Sequence, residues 1–146
     1  MYSTKYTFLS LFIAAALVGG ALYTTSDERE VLVDNVSNNM AETVTATTFL
    51  AKNTDEKRVI IDVRTPEEYD SGRIRGSKNI NFYSPTFTQE VDKLDKSKKY
   101  SVYCRSGNRS GQALALMEQL GFEDVIDLGG GVGAWTHIGQ ELCIDC

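Results

Sequence analysis

The feature that most constrains the fold is an alternation of short apolar runs with stretches that carry helix signals. Residues 59–63 (Val-Ile-Ile-Asp-Val) are typical of a strand that is buried on both faces of a parallel sheet. Thr65, Pro66 and Glu68 follow as an N-cap, a first helical residue and a capping-box partner. Four further strands are predicted near residues 43–46, 78–80, 100–103 and 125–128. The alternation predicts an α/β fold with a five-stranded, mostly parallel sheet flanked by helices.

The segment with the clearest chemistry is residues 100–111, which contain one cysteine followed by a polar loop with two arginines and two glycines. Cys104 comes at the end of a predicted strand, and apolar residues at helical spacing follow the loop up to Gly121, a helix-ending glycine. At such a junction, loop amides and the helix dipole stabilise a thiolate or a bound oxyanion. Arg105 and Arg109 add positive charge. The sequence therefore predicts a nucleophilic Cys104 with a lowered pKa.

A sulfur nucleophile in an anion-binding loop is compatible with more than one chemistry. Phosphatases and arsenate reductases of the Cys-x5-Arg type need an arginine six positions after the cysteine, but that position is Ser110 here, and Arg109 comes one residue early. The shorter loop favours a single terminal sulfur on Cys104 over a tetrahedral phosphate. His137, the only histidine of the chain, lies far along the sequence, which argues against a Cys-His pair.

Four motifs, taken in order along the chain, resemble those of the rhodaneses, the thiosulfate sulfurtransferase family. They are residues 59–69, 72–80, 104–110 and 128–135. The resemblance covers residues 43–138 and implies a single rhodanese-like domain there. Arg73 and Arg75 depart from the family, which commonly has His and Pro at these positions, and they are expected to change the charge at the rim of the pocket.

The resemblance implies a two-step sulfur transfer through Cys104. The thiolate would take sulfur from a small anionic donor such as thiosulfate, form a persulfide, and pass the sulfur to a thiol or cyanide. The implied substrate-binding residues are Arg105, Ser106, Gly107, Asn108, Arg109 and Ser110. No metal or organic cofactor is expected, and the protein is expected to be a monomer. A sulfur carrier or redox relay that serves a protein partner is the first alternative, and a Cys-based phosphatase or arsenate reductase is the second.

Three other features are predicted to support the structure. Asp62 and Arg64, which precede the Thr65 cap, are interpreted as a structural ion pair, or as a carboxylate that caps a neighbouring loop, in preference to direct catalysis. The resemblance gives this Asp-x-Arg element a role in shaping the surroundings of the pocket. Trp135 is interpreted as a core residue. Residues 129–131 are glycines without the lysine or the spacing of a phosphate-binding loop, and they predict a tight turn into the last helix.

Residues 1–21 are predicted to be a signal peptide or an uncleaved signal anchor. Lys5 precedes the uncharged, apolar residues 8–22, and the small residues 19–21 provide a cleavage site. The acidic residues that follow favour export, with the domain in the periplasm or anchored to the inner membrane and facing the periplasm. Residues 22–42 are predicted to be a polar spacer. The net charge of −5 argues against a nucleic-acid partner.

Residues 139–146 are predicted to be a tail that contains a Cys-x-x-Cys motif, Cys143 and Cys146. Three cysteines in an exported chain suggest one free thiol, Cys104, and one pair. The pair could form a local disulfide, accept sulfur or electrons from Cys104, or provide half of a metal site. A metal site is disfavoured because no second pair is nearby, and an inert disulfide is favoured over a redox role.

Overall fold

A five-stranded parallel sheet forms the centre of the computed structural model, which describes residues 40–146. The strands are β1 (Met40–Val44), β2 (Val59–Asp62), β3 (Lys78–Asn79), β4 (Lys99–Tyr103) and β5 (Asp124–Leu128). The helices are α1 (Ala46–Asp55), α2 (Pro66–Asp70), α3 (Phe87–Asp92), α4 (Asn108–Gln119) and α5 (Gly131–His137). The strand order is β1-β5-β4-β2-β3, and every pair of neighbours is parallel. The predicted fold class is therefore confirmed.

The boundary between β1 and α1 differs from the prediction. Ala46 begins α1 instead of ending the strand, because the Thr45 side chain caps the helix by accepting a hydrogen bond from the Thr48 amide at 3.2 Å. The cap predicted at Thr65 is confirmed, since Thr65 and Glu68 exchange side-chain hydrogen bonds in a complete capping box.

The sheet divides the apolar side chains between two cores. Val102 and Cys104 belong to one cluster and Tyr103 to the other, as the alternation of side chains along a strand requires. Trp135 is buried in the second cluster and meets the Phe49 ring edge-on, with 6.1 Å between the ring centroids. The interpretation of Trp135 as a core residue is confirmed.

Helix α4, which follows the Cys104 loop, ends as predicted. Gly121 has a φ of +83°, and its amide donates to the Glu118 carbonyl while the Phe122 amide donates to the Met117 carbonyl. This is the hydrogen-bond pattern of a glycine-terminated helix. After α4 the chain enters β5, which lies next to β4 in the sheet.

The predicted signal, residues 1–21, lies outside the residues that the structure describes, as does nearly all of the predicted spacer. Among residues 40–146, no helix combines the length and the apolar character that crossing a bilayer requires.

Candidate active site

Cys104 lies directly after β4, and α4 begins at Asn108. The chain reverses between them at Gly107, which has a φ of +93°. A Cβ at Gly107 would lie 3.2 Å from the Gly130 amide nitrogen, so the position needs glycine for both its backbone angle and its space. Cys104 is buried, with 1% of its surface exposed. It therefore lies at the carboxyl edge of the sheet and beside the start of a helix, where the sequence predicted it.

Hydrogen-bond donors of the loop surround the Cys104 sulfur. The Gly107 amide is 3.1 Å from Sγ, and the Ser110 hydroxyl is 3.4 Å from it. Burial by itself raises the pKa of Cys104, but hydrogen bonds from the Ser110 side chain and from the Ser110, Ser106 and Gly107 amides outweigh burial. The pKa of Cys104 is therefore lowered, as predicted, and this favours the thiolate, which is the reactive form of cysteine.

Backbone amides at the start of α5 donate hydrogen bonds to two carbonyl groups of the Cys104 loop. The Val132 amide donates to the Cys104 carbonyl at 2.9 Å, and the Gly133 amide donates to the Arg105 carbonyl at 3.4 Å. Gly131 permits this approach, because a Cβ there would lie 2.6 Å from the Arg105 carbonyl carbon. The glycines predicted to form a tight turn do so, but the sequence did not reveal that Gly131 also packs against the active-site loop.

The Arg109 guanidinium is bound by Glu68. Two hydrogen bonds of 2.7 and 2.9 Å join Arg109 to the two carboxylate oxygens of Glu68, and the guanidinium lies over the exposed Tyr83 ring at 5.5 Å. The Arg109 hydrogen bonds are the largest cause of the lowered pKa of Glu68, about 2. The positive charge expected from Arg109 is thus compensated by Glu68, which sequence analysis had recognised only as a helix-capping residue.

The remaining loop residues predicted to bind substrate lie at the surface. Arg105, Ser106 and Asn108 are exposed. Arg105 forms no ion pair with another residue of 40–146. The Asn108 side-chain oxygen accepts a hydrogen bond from Gln112 at 3.0 Å. Arg105 is therefore the uncompensated positive charge within the described part of this loop.

Asp62 and Arg64 form the predicted ion pair at the carboxyl end of β2. Arg64 Nε and Nη2 donate to Asp62 Oδ2 at 2.9 and 2.6 Å, and both residues are buried. Arg64 also donates to the Gly72 carbonyl at 2.7 Å and lies over the Tyr103 ring at 5.6 Å. The pair therefore joins the end of β2 to the loop before β3.

His137 is exposed in the last turn of α5. The hydrogen-bond partners of Cys104 Sγ within residues 40–146 are Gly107 and Ser110, and His137 is not among them. The described structure therefore contains no Cys-His pair at this site, in agreement with the argument from sequence.

The tail motif forms the local disulfide, Cys143–Cys146. The Cys143 backbone exchanges two hydrogen bonds of 2.9 Å with Arg73. The Arg73 guanidinium stacks on the Tyr69 ring at 4.7 Å and donates to the Cys146 carbonyl at 3.2 Å. Arg75 is exposed and lines a cavity of about 530 Å³ that Cys143 also borders. The Arg73 guanidinium thus contacts Tyr69 and the tail.

The chain is similar to known proteins. A model of the rhodanese-like domain matches residues 45–138. Thiosulfate sulfurtransferase PspE of Escherichia coli K12 is 34% identical over 70 residues, which are 48% of this chain and 67% of that protein. The probable adenylyltransferase/sulfurtransferase MoeZ of Mycobacterium tuberculosis is 36% identical over 80 residues, 55% of this chain but only 20% of that protein. The chain thus spans about a fifth of the length of MoeZ.

A solved structure is similar as well. A rhodanese-related protein from Thermoplasma volcanium is 29% identical, with a TM-score of 0.63 over 71% of this chain and 99% of that one. The parallel sheet, the cysteine loop between β4 and α4 and a family match over more than half of the chain agree with one another. The chain belongs to the rhodanese-like family.

Proposed function

We propose that the protein is a sulfurtransferase that moves sulfane sulfur from a donor such as thiosulfate to a thiophilic acceptor through a persulfide on Cys104. The observation that carries the proposal is that the Cys104 sulfur is buried and accepts hydrogen bonds from the loop, which lower its pKa. The similarity to a thiosulfate sulfurtransferase, PspE, supports thiosulfate as the donor class.

In the first step, the Cys104 thiolate attacks the outer sulfur of thiosulfate. The new bond joins Sγ to that sulfur, and the sulfur–sulfur bond of thiosulfate breaks, so that sulfite leaves with the bonding electron pair. The amides of Ser106, Gly107 and Ser110, which already lower the pKa of Cys104, are the donors available to stabilise the persulfide anion.

In the second step, an acceptor thiolate or cyanide attacks the outer sulfur of the persulfide. The sulfur–sulfur bond breaks again, and its electron pair returns to Cys104 as a thiolate, so the cycle needs no oxidant or reductant beyond donor and acceptor. The exposed, uncompensated Arg105 attracts the anionic donor, while Arg109 holds the loop against Glu68.

Intact mass after incubation with thiosulfate tests the proposal. We expect a gain of about 32 Da, one sulfur atom on Cys104, that disappears when cyanide or a thiol is added. Cys104→Ser should retain the fold and lose both the adduct and the turnover, because serine fills a similar volume but lacks a readily ionised sulfur. Turnover of the serine variant at the wild-type rate would contradict the mechanism. Hydrolysis of an aryl phosphate without any sulfur adduct would instead support the phosphatase alternative.

One observation favours a carrier that serves a protein acceptor as a second candidate. Tyr83 is 67% exposed, and the Arg109 guanidinium at the start of α4 lies over its ring at 5.5 Å. Exposed aromatic residues are frequent anchors of protein interfaces. Persulfide formation with negligible turnover on cyanide and small thiols would favour this carrier. Rapid turnover with either small acceptor would favour the enzyme.

The location of this activity is proposed from the N-terminal sequence alone. An apolar stretch after Lys5 supports export, with the catalytic domain in the periplasm or anchored to the inner membrane. A fusion of residues 1–42 to a reporter that is active only outside the cytoplasm tests this, and Lys5→Glu is the variant expected to reduce export. A reporter that stays inactive would contradict it.

A further inference from the structure

Two large hydrophobic side chains are exposed among residues 40–146, Tyr83 at 67% and Ile144 at 60%. Tyr83 belongs to residues 79–89, a stretch without any charged residue. A single exposed hydrophobic side chain is ordinary in itself. What Tyr83 can do therefore depends on where it lies, on how well it is ordered and on the charges beside it.

The segment that carries Tyr83 is joined to the carboxyl edge of the sheet. The Phe82 amide donates to the Val63 carbonyl at 3.2 Å, and the Val63 amide donates to the Tyr103 carbonyl at 3.0 Å. Tyr103 ends β4 and directly precedes Cys104. The backbone at Tyr83 therefore lies at the same edge as Cys104, about two strand spacings away, or roughly 10 Å. About three residues of an extended peptide span that distance.

Contacts on several sides order the Tyr83 side chain. The Arg109 guanidinium lies over its ring at 5.5 Å, and the Phe82 ring meets it edge-on, with 5.7 Å between the ring centroids. The Tyr83 amide donates to the Asn81 side-chain oxygen at 3.0 Å. Arg109 is itself fixed by two hydrogen bonds to Glu68. A side chain that is ordered before binding loses little conformational entropy when a partner covers it, so Tyr83 is suited to anchor an interface.

The free charge next to Cys104 is positive. Arg105 follows Cys104 directly, is exposed, and forms no ion pair with another residue of 40–146. Arg109, in contrast, is compensated by Glu68. An uncompensated guanidinium attracts carboxylates and binds them with strong hydrogen bonds. Cyanide and small thiols are too short to reach from Cys104 to Tyr83, whereas a peptide is not.

We propose that Tyr83 and Arg105 form a docking surface for a protein acceptor whose cysteine lies within a few residues of a carboxylate side chain. The acceptor covers the Tyr83 ring, its carboxylate pairs with Arg105, and its thiolate reaches the persulfide on Cys104. Tyr83 and Arg105 select the acceptor and take no part in breaking the sulfur–sulfur bond. The inference rests on the proposed sulfurtransferase function and adds the class of its acceptor.

The test is sulfur transfer from the protein with the persulfide already formed and the donor removed. The acceptors are cyanide, a short peptide with one cysteine, a leucine and two aspartates, and the same peptide with asparagines. In Tyr83→Ala, we expect the rate with the aspartate peptide, divided by the rate with cyanide in the same variant, to fall by about tenfold. Tyr83→Phe retains the ring and should restore most of this ratio. Ile144→Ala removes the other exposed hydrophobic side chain and is the matched control, expected to keep the wild-type ratio.

A second comparison isolates the charge of Arg105. The rate with the aspartate peptide, divided by that with the asparagine peptide, should be about threefold higher in the wild type than in Arg105→Gln. Comparison between proteins cancels any difference between the two peptide thiols. High salt should reduce the wild-type ratio towards that of the variant, because it screens exposed charges. Arg75→Gln, at an exposed arginine outside the loop, is the control that should keep the wild-type ratio.

A wild-type ratio of peptide to cyanide in Tyr83→Ala would overturn the inference, and so would equal peptide ratios in the wild type and Arg105→Gln. Circular dichroism confirms folding, and Tyr83→Ser replaces the alanine variant if that variant does not fold. Fluorescence anisotropy of a labelled aspartate peptide, with serine in place of its cysteine, measures docking without sulfur transfer. Absence of any persulfide, together with peptide binding that Tyr83→Ala weakens, would contradict the proposed function alone.

Discussion

The two ion pairs beside the active-site loop differ in how they are built. Asp62 and Arg64 are two residues apart, both are buried, and Arg64 also donates to the Gly72 carbonyl. Glu68 and Arg109 are 41 residues apart, and their side chains are 28% and 12% exposed. The first pair joins the end of β2 to the next loop, and the second joins α2 to the first turn of α4, directly after the loop that carries Cys104.

This difference has a physical consequence. Removal of one partner of a buried pair leaves an uncompensated charge away from water, and that costs stability. Removal of one partner of a less deeply buried pair gives water more access to the other, so the cost in stability is smaller. Asp62–Arg64 should therefore act mainly on folding, and Glu68–Arg109 mainly on the shape of the active-site loop.

The largest expected effect is that of Arg64→Ala on stability. The substitution leaves the Asp62 carboxylate buried without its cation, so the free energy of unfolding should fall by about 3–5 kcal/mol. Urea denaturation followed by circular dichroism measures it, and Arg75→Ala, at an exposed arginine, is the control expected to change little. A loss below about 1 kcal/mol would mean that the Asp62–Arg64 pair stabilises the fold no more than an exposed ion pair does.

The same comparison separates what the sequence could and could not reveal. The strand–helix alternation, the Thr65 capping box and the Asp62–Arg64 pair were all predictable, because each depends on residues close together along the chain. The Glu68–Arg109 pair was not, because opposite charges 41 residues apart have no local signal. The hydrogen bond from the Thr43 hydroxyl to Asp127 likewise depends on the pairing of β1 with β5 in the sheet.

The second prediction concerns activity. Arg109→Ala should lower kcat/KM with thiosulfate by about tenfold or more, because the loop loses its attachment to Glu68, while the free energy of unfolding changes by about 1 kcal/mol. Glu68→Gln is the informative companion variant. If Arg109 positions the loop, this variant should also lose activity. If Arg109 instead binds the donor directly, freeing it from Glu68 should maintain or raise activity.

A third, smaller effect should appear at acidic pH. Hydrogen bonds from Arg109 lower the pKa of Glu68 to about 2, from an ordinary value of 4.5. A lowered folded-state pKa contributes stability above the ordinary value, and this contribution is lost as the pH falls from about 4.5 towards 2. The wild type should therefore lose more stability than Glu68→Gln over that interval, as measured by urea denaturation at each pH. Parallel curves for the two proteins would show that the ion pair does not stabilise the fold.

The smallest expected effect lies at a third attachment, the tail disulfide. Cys143 is held to Arg73 by backbone hydrogen bonds that do not need the sulfur–sulfur bond, and the disulfide closes a short loop that constrains little of the unfolded chain. The double variant Cys143→Ser, Cys146→Ser should therefore leave the lifetime of the Cys104 persulfide unchanged. Mass spectrometry over time, with and without a reductant, measures that lifetime. A longer-lived persulfide in the double variant would show that the tail cysteines take part in resolving it, and the tail would then act on the chemistry of Cys104 as well as on the fold.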